Sequence, residues 1–350
     1  MLECMELDRA LLANHTAQMK TLQTAMSALA YVISSLHTAQ NAVFERLQSY
    51  KYPVLSLPNE IVAEIFIQFL PPYPEQAPLV GPSSPTHLTQ ICRQWREIAL
   101  STPALWSAIM PSNTQPDLAA LWCARSGSCP LSIQAVDAGP GLNALVPHRD
   151  RWEHLVLGIT HSPPAVIDGP MPLLHSLMLS ANRAIYWSSS PIKVRDVPLL
   201  RMLSLYNFYC PNITVRWAQL TTLNLNGISP EEWAPVLRQA LRLVHLFIDL
   251  WDDSRVGPMT DIKLPRLESL TFAEKSHRGK DFLQYFVVSA LRQLYIPEHV
   301  LGSHPVKSLK AFVKKSKCSV KDLRIIHASV PEASYRAAFP SIPQIIIYKV

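Results

Sequence analysis

The cysteines and histidines are the side chains best able to bind a metal ion or attack a substrate, and their spacing argues against both roles. None of the six cysteines lies in a CxxC pair or near a histidine with zinc-ligand spacing, and the twelve histidines are dispersed. A structural zinc site needs four such ligands in close pairs. The sequence therefore predicts no metal and no cofactor, and the thiols are interpreted as reduced core or surface residues.

Catalytic and nucleotide-binding signatures are also missing from the sequence. It contains no GxGxxG, GxxxxGK[ST], HExxH or GxSxG motif. Two adjacent acids, Glu231 and Glu232, follow Ser229-Pro230 and are interpreted as the start of a helix rather than as an acid/base pair. We therefore expect that the protein is not an enzyme. A catalytic site assembled from residues distant in the sequence is the alternative.

Positive charge is concentrated near the C-terminus. The chain has a formal net charge of +6, yet residues 300–350 alone carry +7 and residues 1–299 sum to −1. A nucleic-acid-binding surface needs a basic stripe long enough to follow a phosphate backbone, so nucleic acid is disfavoured as a partner. The Lys-rich stretch 307–324 is interpreted as a solvated helix face, and contact with an acidic or phosphorylated target is the alternative.

Neither a membrane span nor a secretory signal is indicated. No run approaches 18 apolar residues, and the acids Glu3, Glu6 and Asp8 stand where an apolar signal region would be. We expect no membrane partner and a location in the cytoplasm, the nucleus or both. Hydrophobic residues make up 48% of the chain and prolines number 30, which indicates a large core made of many short elements.

Residues 12–47 carry apolar side chains at alternating steps of three and four. The positions are Leu12, His15, Met19, Leu22, Met26, Leu29, Ile33, Leu36, Gln40, Val43 and Leu47. This spacing predicts a heptad seam on one uninterrupted helix. Two interpretations fit the seam: a helix folded back onto its own chain, or a coiled coil that makes a homodimer.

Three short helices with prolines at their borders are predicted over residues 53–112. Pro58 suits the first turn of a helix with a wide apolar face, and a Pro-rich loop over residues 71–85 separates it from two further helices. So few residues cannot bury all of these faces among themselves. The apolar surface left over predicts a partner; a three-helix element that only caps the following domain is the alternative.

The motifs of this segment are Leu57-Pro58-x-Glu60-Ile61, Ile65-Phe66, Ile91-Cys92-Arg93-x-Trp95-Arg96 and Leu105-Trp106. Together they resemble the F-box, in particular that of the F-box-like proteins abundant in mushroom-forming basidiomycete fungi. Those proteins also place a heptad-bearing helix before the box and leucine-patterned repeats after it. The resemblance therefore covers the layout of nearly the whole chain, but only the box matches at the level of motifs.

The resemblance implies a substrate-recognition subunit of an SCF (cullin–RING) ubiquitin ligase, which docks a Skp-type adaptor and holds an unidentified protein target. It implies that the adaptor is contacted by Leu57, Pro58, Ile61, Ile65 and Ile91. It further implies that the core of the box is formed by Phe66, Trp95 and Trp106. A protein-interaction scaffold without a ubiquitin-ligase role is the alternative function.

After residue 150 the pattern LxxLxL recurs at a mean spacing of about 24 residues, within the range of leucine-rich repeats. Its nine units begin at Trp152, Leu174, Leu200, Leu220, Leu243, Leu267, Leu291, Val320 and Ile342. Each unit predicts a short strand that must stack on its neighbours. The expected fold class is α+β or an α/β solenoid, with an N-terminal helix and a three-helix F-box followed by an irregular leucine-rich-repeat-like solenoid. An ordinary α/β domain is the alternative.

These patterns divide the chain into four predicted domains. They are the N-terminal helix 1–52, the F-box 53–112, a linker or cap 113–150 and the leucine-rich-repeat-like domain 151–350. Residues between the leucines should share the open face of the strands. Because interfaces favour aromatic and charged side chains, a target-binding patch is predicted from His245, Phe247, Asp249, Tyr295 and Arg324.

Overall fold

The chain forms two compact units, Met1–Val62 and Ala63–Val350. The computed structural model describes residues 2–49, 56–136, 139–159, 167–181, 191–208, 210–250, 260–274 and 282–348. The boundary between the units falls within the segment 53–112. The four-part division predicted from the motifs stays a prediction.

The first unit is dominated by one long helix, α1 (Leu2–Ser49), which no proline or glycine interrupts. Its side chains from residue 7 to residue 47 are all exposed. Many of its polar residues are serines and threonines whose hydroxyls donate to carbonyls three or four residues earlier, as Thr24 does to Lys20 at 2.8 Å. These bonds satisfy the hydroxyls within the helix itself.

Proline begins most of the shorter helices. They are α2 (Asn59–Phe69), α3 (Pro85–Ile91), α4 (Arg93–Leu100), α5 (Pro116–Arg125), α6 (Pro140–Asn143), α7 (Pro230–Gln239), α8 (Pro305–Ser316) and α9 (Glu332–Ala338). Five of these start at proline, whose fixed φ suits the first helical turn and whose missing N–H is not needed there. Part of the high proline content of the sequence is therefore explained by helix starts.

The second unit is built on one parallel sheet of eleven strands within the described residues. The described part of the unit has fifteen strands, of which eleven form this sheet: β1 (Ala108–Ile109), β2 (Leu131–Ala135), β3 (Trp152–Ile159), β4 (Ser176–Ala181), β5 (Ile192–Lys193), β6 (Met202–Tyr206), β7 (Ile213–Thr214), β8 (Thr222–Ile228), β9 (His245–Leu250), β10 (Ile262–Lys263), β11 (Ser269–Phe272), β12 (Phe286–Val287), β13 (Gln293–Pro297), β14 (Asp322–Ile326) and β15 (Gln344–Tyr348). The sheet order is β1-β2-β3-β4-β6-β8-β9-β11-β13-β14-β15, and the short strands pair separately as β5-β7 and β10-β12.

The expected fold class, a three-helix box followed by a separate leucine-rich-repeat-like solenoid, is wrong. The second unit is an α/β fold whose eleven-stranded, all-parallel sheet begins inside the predicted box. The predicted third helix is a 3₁₀ turn, Pro103–Trp106, that leads directly into β1, and the predicted linker supplies β2. Proline at residue 103 sets up only one helical turn, because the chain must then extend to pair with β2.

The predicted linker is also fastened to the third strand of the sheet. The guanidinium of Arg151, next to the start of β3, donates to the Cys129 carbonyl at 2.8 and 3.0 Å and to the Ser126 hydroxyl at 2.5 Å. Ser126 follows the end of α5 and is fully buried. These bonds hold the segment between α5 and β2 against the sheet, so this part of the chain is an integral layer of the fold.

A single apolar row crosses the whole sheet, and the strand positions predicted from the leucine pattern are confirmed. Each of the eleven strands contributes one residue, in matched register: Ile109, Ile133, Leu155, Leu177, Leu203, Leu223, Leu246, Leu270, Leu294, Leu323 and Ile345. None of these side chains is more than 4% exposed. Burying one such side chain stabilises the fold by about 1.5–3 kcal/mol, so this row is a principal part of the core.

Within the described residues, no helix combines the length and the apolar character needed to cross a membrane.

The last strands are held together by a buried carboxylate. Glu298, which is 5% exposed, accepts hydrogen bonds from the Tyr335 hydroxyl at 2.9 Å, from the Ser329 amide at 2.9 Å, from the Ser329 hydroxyl and from the Val330 amide at 3.2 Å. Burial raises the pKa of Tyr335, and its bond to Glu298 raises it further. One side chain thus links the segment after β13 to α9.

We predict that Glu298→Ala lowers the free energy of unfolding by about 2–4 kcal/mol, because several buried donors lose their acceptor at once. Urea unfolding measures the change. Glu332→Ala is the matched control, since Glu332 pairs with Arg336 at 2.6 Å on an exposed surface, and it should change stability by less than about 1 kcal/mol. Equal effects of the two substitutions would contradict the role of Glu298.

Candidate functional site

The apolar face of α2 separates into a buried row and an exposed row. Val62 and Phe66 are each 1% exposed, whereas Ile61, Ile65 and Phe69 are 50%, 46% and 49% exposed. Residues four apart lie on one side of a helix, so the exposed three form a continuous apolar stripe. Sequence reasoning treated all of these residues as one wide face, because helical spacing does not reveal which half a neighbour covers.

The three residues predicted as the core of the box are placed inside the second unit. The Phe66 ring meets the Trp95 ring edge-on, with centroids 4.9 Å apart, and so joins α2 to α4. Trp106 is fully buried, and its indole N–H donates to the Ala99 carbonyl at 2.8 Å. Trp106 also packs edge-on against Trp122 of α5, with centroids 5.4 Å apart. This tryptophan therefore ties α4 to the helix that follows β1.

The remaining predicted adaptor residues lie at the ends of helices. Leu57 is half-buried and Pro58 is exposed. The carbonyl of Pro58 accepts hydrogen bonds from the amides of Ile61 and Val62, both at 3.1 Å. These bonds form the first turn of α2. Ile91, at the end of α3, is 51% exposed.

The break after Ile91 comes from Cys92, whose backbone is extended and whose sulfur accepts the Trp95 amide at 3.5 Å to cap α4. Because the chain turns at this cap, Ile91 stays at a helix end rather than on a continuing buried face.

The Pro-rich loop between α2 and α3 is attached to the first strands of the sheet. The Tyr73 hydroxyl donates to the Glu153 carboxylate at 2.8 Å, and the Ser132 hydroxyl donates to the Pro74 carbonyl at 2.6 Å. Burial raises the pKa of Tyr73, and the bond to Glu153 raises it further. Burial also lowers the pKa of His154, whose ring packs edge-on against Tyr73.

An open, largely apolar cleft lies beside the loop. Its volume is about 460 Å³, and its lining includes Ile67, Leu70, Pro71, Tyr73, Ala104 and Leu105. Ile67 is 37% exposed. The cleft was not predicted from the sequence. It forms where the end of α2 meets the 3₁₀ turn before β1, and a third helix was predicted at that turn.

The predicted target-binding patch is largely brought together by the strand register. Phe247, Thr271, Tyr295 and Arg324 stand side by side on β9, β11, β13 and β14. Neighbouring strands are about 4.8 Å apart, so this row is roughly 14 Å long. The side chains alternate with buried leucines and are therefore on the face of the sheet opposite the core.

Two members of the predicted patch lie beside this row. His245 is exposed and belongs to the adjacent row, where it aligns with Ser269. Asp249 is half-buried, two residues further along β9 than Phe247. The structure therefore brings Phe247, Tyr295 and Arg324 into one row and places His245 and Asp249 on either side of it.

Charged groups give this surface a defined electrostatic pattern. The Arg324 guanidinium donates to the Asp322 carboxylate at 2.9 Å, and this bond raises the pKa of Arg324. Burial raises the pKa of Tyr295, and the charge of Glu274 raises it further, whereas the charge of Arg324 lowers it. Glu274 in turn lies 3.1 Å from His327. The arrangement offers an oriented cation, an acid and a phenol side by side.

A shallow cleft of about 350 Å³ covers the same rows. Its lining includes Ser269, Thr271, Gln293, Tyr295, Asp322 and Arg324. The serine, threonine, glutamine and aspartate were not part of the predicted patch. Each of them occupies a position between the apolar residues of an LxxLxL unit, where the sequence predicts the open face, but the predicted patch was limited to five other residues.

The acids, histidines and cysteines do not assemble into a metal site within the described part of the chain. No group of three or more of them is placed to hold an ion. The cysteines whose side chains are described, Cys92, Cys123, Cys129, Cys210 and Cys318, are free thiols. Burial raises the pKa of Cys123, Cys210 and Cys318.

No protein-family model matches the chain, and a search of curated proteins finds no similar sequence.

We predict that the pKa of the Tyr295 phenol depends on the charges of its neighbours Glu274 and Arg324. Glu274→Gln should lower the pKa of Tyr295, because it removes a negative charge that opposes ionisation; Arg324→Gln should raise it, because it removes a stabilising positive charge. NMR titration of ring-labelled tyrosine, assigned with Tyr295→Phe, measures both shifts. Glu332→Gln, on α9, is the control that should leave the titration unchanged. Identical titrations in all variants would contradict the coupling.

Proposed function

We propose that this chain is the substrate-recognition subunit of an SCF-type cullin–RING ubiquitin ligase. In this proposal the F-box-like segment docks a Skp-type adaptor, and the open face of the sheet holds a protein target. The chain itself catalyses nothing and positions the target for ubiquitin transfer. The motifs of residues 53–112 support the family assignment, and the observation that carries the proposal is the exposed row of α2.

This row has the features of a helix-borne docking stripe. Ile61, Ile65 and Phe69 are rigidly spaced on one side of α2, and each leaves about half of its side chain in water. Covering one such side chain is worth up to about 1.5–3 kcal/mol, so a complementary apolar groove on the adaptor gains affinity from each of them. Ile91 offers a further anchor at the end of α3. An apolar stripe of this kind suits a protein partner far better than a nucleic acid.

The sheet face supplies the features that a target-reading surface needs. Phe247 and Tyr295 are half-buried aromatic anchors held by the strand backbone. Arg324, oriented by Asp322, presents a fixed cation beside them. Aromatic residues and arginines are the commonest energetic anchors of protein interfaces, and the polar residues of the cleft around them can direct a bound segment. The target is therefore proposed to be a protein segment that combines an apolar side chain with an acidic group.

We predict that Ile65→Asp weakens binding to a purified Skp-type adaptor by at least about tenfold, because it removes an apolar anchor and adds a charge that the interface must desolvate. Isothermal titration calorimetry with the full chain measures the affinity. Leu241→Asp is the matched control, since Leu241 is equally exposed at 51% but lies after α7. Thermal unfolding of both variants checks that they are folded.

Two outcomes would count against the proposal. Unchanged adaptor binding by folded Ile65→Asp, and by the double variant Leu57→Ala with Pro58→Ala, would refute docking through the box. Normal adaptor binding without ubiquitylation of a captured target, in a reconstituted cullin–RING reaction, would favour the interaction scaffold instead.

A further inference from the structure

The seam of α1 is an extended apolar surface in the first unit. Its central members, Met19, Leu22, Met26, Leu29, Ile33 and Leu36, are each between 51% and 70% exposed. The seam runs from residue 12 to residue 47, which is roughly 54 Å of helix. A continuous stripe of this length is unfavourable in water and fits a second helix with the same heptad spacing.

The positions beside the seam carry no charge between residues 16 and 44. These flanking residues are Thr16, Gln18, Gln23, Ala25, Ala30, Val32, His37, Ala39 and Phe44. In coiled coils, charges at these positions select a different partner or repel a second copy. Their absence from the sequence means that an identical helix meets no like charge along the seam.

The side of α1 away from the seam is unsuited to further helix packing. Thr24 and Thr38 lie on that side, and their hydroxyls donate to the carbonyls of Lys20 and Ser34 at 2.8 and 2.9 Å. With one apolar stripe and an opposite face rich in hydroxyls, the helix is suited to a two-stranded pair rather than to burial on all sides.

Two polar residues within the seam favour a second copy of the same helix as its partner. His15 and Gln40 interrupt an otherwise apolar series. In a parallel, in-register pair each meets its own copy, so that two Gln40 amides can hydrogen-bond across the seam. In the antiparallel register that pairs residue 12 with residue 43, His15 faces Gln40. An unmatched buried polar group is destabilising, and two copies of this helix match polar with polar in either orientation.

We propose that α1 pairs two copies of this chain in a two-stranded coiled coil. The polar layers formed by His15 and Gln40 set the register, since a single polar layer is enough to fix the alignment of a coiled coil. The inference does not depend on adaptor binding, because the seam and the exposed row of α2 share no residue.

Sedimentation velocity of the full chain tests the stoichiometry. At about 10 µM we expect a mass twice the 39.3 kDa of one chain, and a shift toward monomer on dilution. Leu29→Asp, at the middle of the seam, should make the chain monomeric. Tyr31→Asp is the matched control, because Tyr31 is 77% exposed on the same helix but lies off the seam, and it should remain a dimer. A monomeric or trimeric parent chain would overturn the proposal, as would a dimer that both substitutions leave intact.

Cysteine cross-linking tests the register. In a Cys4→Ser background, Val43→Cys alone should form an intermolecular disulfide on mild oxidation in a parallel pair, and Leu12→Cys combined with Val43→Cys should do so in an antiparallel pair, because each register brings two Cα atoms within the roughly 7 Å that a disulfide allows. Tyr31→Cys, on the outer face, is the control that should not cross-link. A dimer in which neither variant cross-links would overturn pairing through the seam.

Discussion

Every strand of the sheet contributes an apolar side chain that becomes buried only when it lies beside the matching side chains of the neighbouring strands. Ile109 at one end and Ile345 at the other belong to the same buried row, and each strand between them contributes one side chain. Because side chains alternate along a strand, fixing this row in the core also fixes which residues face outward. Phe247, Tyr295 and Arg324 are on the open face for that reason, and the register that buries the leucines aligns the three in one row.

The same constraint explains why the segment from α2 to β1 is not a separate three-helix box. Its 3₁₀ turn leads into β1, Trp106 packs on α5, and the loop after α2 is bonded to β2 and β3 through Ser132 and Glu153. Within the second unit, therefore, Ile65 and the row of Phe247, Tyr295 and Arg324 are parts of one sheet-based body. In the proposed receptor, this direct connection would help to hold a target at a set distance from the adaptor, because less of the chain has to be ordered when the complex forms.

The sequence predicted the regular parts of this fold and missed the joints. Nine strands could be located because each coincides with the later residues of an apolar triplet at fixed spacing, whereas β1 has two residues and β2 lacks the leucine triplet. The third helix was wrong because Thr102-Pro103 is an equally good start for a helix and for a single 3₁₀ turn. Pairing with β2 decides between them, and a contact between distant residues is invisible in one sequence.

For the candidate site, sequence spacing identified Phe247, Tyr295 and Arg324 but could not show that they share a row. That depends on the register between strands, which the lengths of the connecting segments determine. Ser269 and Thr271 were missed for a different reason, since small polar residues become significant only when a cleft gathers them. The split of α2 into a buried and an exposed row likewise depends on Trp95, which lies 29 residues beyond Phe66.

In the proposed receptor, pairing through α1 would change how strongly the open face of the sheet binds a target rather than what it recognises. Two copies joined by a coiled coil present two identical patches, so the second contact to a target with two recognition segments is made at a high effective concentration. Each patch can then be individually weak, which fits a shallow cleft of about 350 Å³ with a largely polar lining.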